Sequence, residues 1–111
     1  MEQSRDRVWL QHMLDHAREA TSMVAGRAEA DLRADRMLEL ALVRLVEVVG
    51  EAATRISPNT PGSHPEIPWR VLVGMRNRLI HGYDRISHDV LWDTVTKDLP
   101  TLVAQLEQIV S

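Results

Sequence analysis

Cysteine is missing from all 111 residues, which excludes a disulfide scaffold, thiolate chemistry and any zinc or iron–sulfur site built on sulfur. Long hydrophobic runs are missing too: nowhere do about 18 apolar residues follow one another, the length a membrane-spanning helix needs. The charged opening Met1-Glu2-Gln3-Ser4-Arg5-Asp6-Arg7 leads into no apolar signal core. A cytoplasmic protein without membrane contact is therefore expected. Lysine is almost absent, since Lys97 is the single lysine beside twelve arginines. With 13 basic against 16 acidic residues the formal net charge is −3, far from the basicity of a stand-alone nucleic-acid binder, and no DNA partner is expected.

What is present suits one folded domain over residues 1–111: 44% hydrophobic residues supply a core, and no repeat, linker or low-complexity tract divides the chain. Charge is spread unevenly. Residues 57–85 carry Arg70, Arg76, Arg78 and Arg85 against Glu66 and Asp84, while residues 86–111 carry Asp89, Asp93, Asp98 and Glu107 against Lys97. Any anion is thus handled locally, and arginine is the side chain whose fork fits phosphate.

Hydrophobic periodicity predicts helices almost throughout and no convincing strand. The first helix is expected from about Ser4 to Ala25, burying Leu10, Leu14, Ala17, Thr21 and Val24, with Gly26 as its stop. A second runs from about Asp31 to Ile56, with Leu38, Ala41, Leu42, Leu45, Val49, Ala52, Ala53 and Ile56 in one stripe. Leu40 and Val43 fall off that stripe, which in a chain this small points to a surface covered by another chain. Four prolines make residues 57–68 a loop, and Pro68 suits the first position of a third helix closing at Gly82, with Leu72, Met75 and Leu79 inward. Ser87 is the expected cap of a fourth helix that Pro100 should kink or restart near Asp98.

His12 and His16 have the i, i+4 spacing of a two-imidazole metal site but no third ligand, so they read as a solvated face. Glu47 and Glu51 share that spacing, with Arg44 and Arg55 within a turn, and read as salt-bridged surface. Trp9, Trp69 and Trp92 are too scattered for a base-stacking platform and read as core or interface anchors.

Chemistry concentrates in Arg76-Asn77-Arg78-Leu79-Ile80-His81-Gly82-Tyr83. Arg76 and His81 lie about 140° apart on an ideal helix, so they share a face only where the helix tightens or ends. A histidine at a helix C-terminus has its protonated form favoured by the dipole and can move protons near neutral pH. Arg76 could hold a phosphate, and Asn77 could orient groups beside it. Together these make a metal-free toolkit for RNA cleavage, although one histidine cannot easily serve as both base and acid. A two-fold dimer would bring a second histidine and arginine to the same cleft. From spacing alone a plainer reading also stands: a helix end with exposed arginines, a capping histidine and a packed tyrosine.

The string Gly50-Glu51-Ala52-Ala53, Ile67-Pro68-Trp69, Gly74 to Tyr83, Val90-Leu91-Trp92 and Asp98-Leu99-Pro100 resembles the HepT-like branch of the HEPN ribonucleases over about residues 5–110. The resemblance implies an all-α, antiparallel four-helix-type HEPN bundle that dimerises so that two motif helices share one cleft. It further implies a metal-independent endoribonuclease toxin without cofactor, paired with a minimal nucleotidyltransferase antitoxin. Arg76 and His81 then match the catalytic pair, Asn77 the supporting polar residue and Tyr83 the tyrosine that the antitoxin adenylylates. Arg78 and Arg85 become candidate RNA contacts. The alternative is a non-catalytic helical subunit serving a nucleotidyltransferase as substrate-binding or scaffold partner.

Overall fold

A computed structural model describes the backbone of residues 2–81 and 85–110, with side chains for 5–79 and 86–110. Its helices are α1 (Glu2–Met23), α2 (Asp31–Ala34), α3 (Arg36–Thr54), α4 (Asn59–Ser63), α5 (Trp69–Val73), α6 (Met75–Leu79), α7 (His88–Asp93) and α8 (Leu99–Val110). A π-helical turn over Thr94–Asp98 joins the last two. The architecture is all-α. Among the described residues the one exception is a ladder of two residues a side, β1 (Ile80–His81) antiparallel to β2 (Arg85–Ile86), with Ile80 opposite Ile86 and His81 opposite Arg85.

The long amphipathic helices form where the periodicity places them. α1 buries Leu10, Met13, Leu14, Ala17 and Ala20 against α3 and α8, Val24 is buried just past its end, and Gly26, at φ 75°, turns the chain. α3 contributes Leu38, Leu42, Leu45, Val46 and Val49, and α8 contributes Leu99, Leu102 and Leu106, to one continuous cluster that Trp9, Trp69 and Trp92 flank. Trp69 Nε1 donates to the His64 carbonyl at 2.9 Å, so its polar edge is satisfied where its ring is packed.

Several boundaries differ from the periodicity, each for a local reason. The stretch 31–56 is not one helix. Asp35 adopts an extended conformation (φ −125°, ψ 95°), and its carboxylate accepts from Leu38 N–H at 3.1 Å, so it ends α2 and caps α3. The loop 57–68 contains the short helix α4. Pro68 precedes α5 at ψ 69° instead of opening it, and Gly74 separates α5 from α6. The expected helix to His81 stops at Leu79, because Ser87 N–H takes the Leu79 carbonyl at 2.9 Å and Ile80 and His81 leave as a strand. Ser87 caps α7 as expected, its side chain accepting from Val90 N–H. Around Pro100 the chain winds through the π turn, in which Leu99 N–H donates to the Thr94 carbonyl five residues back. Such a turn is wider than an α turn and relieves the crowding of a proline ring against the preceding carbonyls.

Two buried carboxylates tie the bundle together, and periodicity gives no sign of either. Asp6 accepts from Ser57 N–H at 2.9 Å, Ser57 Oγ–H at 2.6 Å and the Thr60 hydroxyl, pinning the start of α1 to the loop after α3. Burial disfavours its charge, yet the hydrogen bonds outweigh burial and hold the carboxyl below its ordinary value. Glu39 on α3 pairs with His88 at the start of α7 and with Arg36. Its carboxyl too is opposed by burial and lowered on balance by hydrogen bonds from His88 and Arg36 and by their charges. Among the described residues no helix is long and apolar enough to cross a membrane.

Candidate active site

The motif lies on α6 and the ladder that follows it. α6 buries Met75 and Leu79 fully and is packed against both α3 and α7. At 100° per residue, burying positions 75 and 79 sends Arg76 to one flank, Arg78 to the other and Asn77 outward between them. The structure bears this out: Arg76 Nε lies 3.4 Å from Glu47 Oε2 on α3, Arg78 Nη2 lies 3.8 Å from Asp98 Oδ2 in the π turn, and Asn77 is exposed. The motif helix is thus held at both flanks by ion pairs to different neighbours.

Close approach of α3 is what brings Glu47 within reach. A Cβ on Gly50, one turn further along α3, would lie 2.9 Å from the Leu72 carbonyl oxygen and 4.0 Å from Met75 Cβ. Only a residue without a side chain allows α3 and the α5–α6 segment to pack so tightly. The Arg76 side chain remains 71% exposed while that of Glu47 is 26% exposed, so the carboxylate is the fixed partner and the guanidinium the presented one.

Glu47, expected as salt-bridged surface, does form an ion pair, but across to Arg76 on α6 and not along its own helix. Glu51 does pair with Arg55 at 3.3 Å, as the i, i+4 spacing suggests. His81 stands two residues beyond the last helical position, on β1, instead of at a helix end. Its side chain, that of Arg85, and Tyr83 altogether lie outside the described residues. The ladder nevertheless sets the path of the backbone, since pairing His81 with Arg85 returns the chain at once to Ser87 and α7.

Other sequence candidates sit elsewhere. His12 and His16 stack with ring centroids 6.0 Å apart on the outer face of α1, and His16 Nδ1–H donates to the His12 carbonyl at 2.7 Å. Trp9 lies beside His12 at 5.6 Å and beneath the Arg55 guanidinium at 5.7 Å. Among the described residues no three His, Asp or Glu side chains gather into a metal-holding group. Of the off-stripe aliphatics, Val43 packs against the chain's own core, whereas Leu40 is 50% exposed. Met37, Val71 and Val73 are also exposed, on α3 and α5.

Sequence reasoning did not single out Asp98 as the partner of Arg78, and it left Glu47 as surface. The one available signal was indirect: a glycine inside a long helix three residues after a glutamate marks a place where another backbone comes close.

A family model described as Ribonuclease HepT-like matches residues 13–109. An inferred RNase of Caldanaerobacter subterraneus subsp. tengcongensis is 32% identical over 103 residues, covering 93% of this chain and 92% of the relative. A probable ribonuclease HepT of Thermococcus cleftensis is 39% identical over 79 residues, covering 71% and 72%. An inferred RNase of Methanocaldococcus jannaschii is 25% identical over 104 residues, covering 94% and 86%. No solved structure matches the chain.

Proposed function

Because the chain belongs to the HepT-like ribonuclease family, enzymes that cut RNA, we propose that it is a metal-independent endoribonuclease acting as the toxin of a toxin–antitoxin pair in the cytoplasm. The observation that carries this reading is the motif helix: Arg76 and Asn77 are presented to solvent from α6, four and three residues before the start of the ladder that carries His81. In the proposed reaction an imidazole removes the proton of a ribose 2′-hydroxyl, the oxygen attacks its own phosphorus, and the 5′-oxygen leaves with a proton from a second imidazole. Arg76 offsets the charge that grows on the phosphoryl oxygens, and Asn77 orients them. The second imidazole comes from a second copy. We place the contact between copies at α6 and the exposed Leu40 side of α3, with Arg78 and Arg85 reaching the flanking RNA backbone.

Control is proposed to come from a minimal nucleotidyltransferase that transfers AMP from ATP to Tyr83. The adenylyl group would put a phosphodiester charge and an adenosine where substrate phosphate belongs. Residues 1–111 act in this scheme as a single domain, with no cofactor of their own.

The test is cleavage of a mixed-sequence RNA in excess EDTA, with His81→Ala and Arg76→Ala proteins alongside. Activity should persist on chelation, and His81→Ala should remove at least about 100-fold, the scale of general acid–base catalysis. Cleavage that stops with EDTA and returns with magnesium overturns the mechanism. A folded, dimeric protein that cuts nothing and stimulates a partner nucleotidyltransferase would instead make the chain a scaffold subunit.

A further inference from the structure

We infer that Glu47 is the positioning residue for Arg76, an inference that rests on the ribonuclease reading above. A guanidinium offers five N–H donors in two forks, one spanning Nε and a terminal nitrogen and the other spanning both terminal nitrogens. The contact at 3.4 Å is made to Nε, on the side of the group. That contact engages the side of the group, whereas the end-on fork of Nη1 and Nη2 is the edge that suits two oxygens of one phosphate.

An arginine 71% exposed and unheld would spread over many rotamers, and each phosphate encounter would have to freeze them. Glu47 removes that cost beforehand. Its own backbone is set in the middle of α3, where Val46 and Val49 are fully buried, and Gly50 lets α6 approach closely enough for the carboxylate to reach. The Arg78–Asp98 pair on the opposite flank steadies the same helix, so Arg76 is aimed with respect to the bundle and not merely tethered.

A carboxylate in this place has a second effect of opposite sign. Its negative charge repels an incoming phosphate and weakens ground-state binding while improving alignment in the transition state. Removing it should therefore separate kcat from KM, which simple loss of a structural contact does not do.

The experiment compares Glu47→Ala and Glu47→Gln with the parent dimer in steady-state cleavage of a short fluorogenic RNA. Thermal unfolding verifies that each protein is folded, and 15N relaxation of the Arg76 Nε–Hε group reads its order without substrate. Glu47→Ala should lower kcat on the order of ten- to a hundredfold, with KM unchanged or reduced, and should loosen the Arg76 Nε–Hε group. Glu47→Gln keeps an acceptor for Nε–H and should recover most of kcat while still lowering KM. Parental kcat in Glu47→Ala overturns the inference, as does Nε–Hε order that is the same in both proteins. If none of the proteins cuts RNA but Nε–Hε loses order in Glu47→Ala, the ribonuclease reading falls and the positioning contact stands.

Discussion

Replacing Gly50 by alanine adds one carbon at the tightest approach between α3 and the segment carrying the motif. That carbon would sit 2.9 Å from the Leu72 carbonyl oxygen, whereas carbon–oxygen contacts settle at roughly 3.3–3.6 Å, so about half an ångström must be found. The oxygen belongs to the backbone of α5 and cannot rotate away. Overpacking of this kind costs about 1–3 kcal/mol, and the better helix propensity of alanine returns up to about 1 kcal/mol. The net expectation is a loss of about 1 kcal/mol, or roughly 4–6 °C in Tm for a chain of this size. Gly62 supplies the control, because a Cβ there meets nothing within 4 Å. Urea denaturation followed by helical circular dichroism should show Gly50→Ala destabilised and Gly62→Ala not. A Gly50→Ala protein as stable as its parent, beside a well-behaved Gly62→Ala, refutes the claim that two backbones meet at this glycine.

Asp6→Ala should cost about 2–3 kcal/mol, since the Ser57 and Thr60 donors lose an ionised acceptor. The folded carboxyl is held below its ordinary value, so its stabilisation is complete above the ordinary carboxylate range and fades as pH falls toward the folded value. The gap between parent and Asp6→Ala, measured by denaturation at pH 7 and again near about pH 3.5, should narrow, and a gap that stays constant counts against the pinning role. Glu39→Gln and His88→Ala should couple by about 1 kcal/mol or more in a double-mutant cycle, where additive losses would mean that the pair contributes nothing jointly. Co-expression with a neighbouring nucleotidyltransferase should add the mass of one or more AMP groups to the parent and none to Tyr83→Phe; an inactive, unmodified complex would assign inhibition to occlusion.

The long helices were legible because burying a stripe requires a 3.6-residue period, and most residues that show it, from Leu10 to Val24 and from Leu38 to Ala53, are found buried, while Thr21, Ala41 and Ile56 are only partly so. Ser87 was legible because a cap acts over three residues. Asp35 has the same local chemistry but stands inside an unbroken apolar pattern, which hides the break it causes. Pairings across the chain left no trace in periodicity: Asp6 meets Ser57 51 positions away, and Glu39 meets His88 at a separation of 49. The same holds for the candidate site. The residue types of the motif could be read directly, whereas the carboxylate that aims Arg76 could be found only once α3 and α6 were seen side by side.

The turn over Thr94–Asp98 takes five residues to make one closed loop where an α-helix takes four, so it works as a phase shifter between α7 and α8. Wound as an ordinary α turn with the same number of residues, it would rotate everything after it by about 100° relative to everything before. Leu102 and Leu106 would then shift around the axis relative to Leu91, and Asp98 relative to Arg78. Loss of one residue within this turn should accordingly be better tolerated than loss of one residue within α8, where no wide turn absorbs it: what the turn specifies is angular timing along the chain.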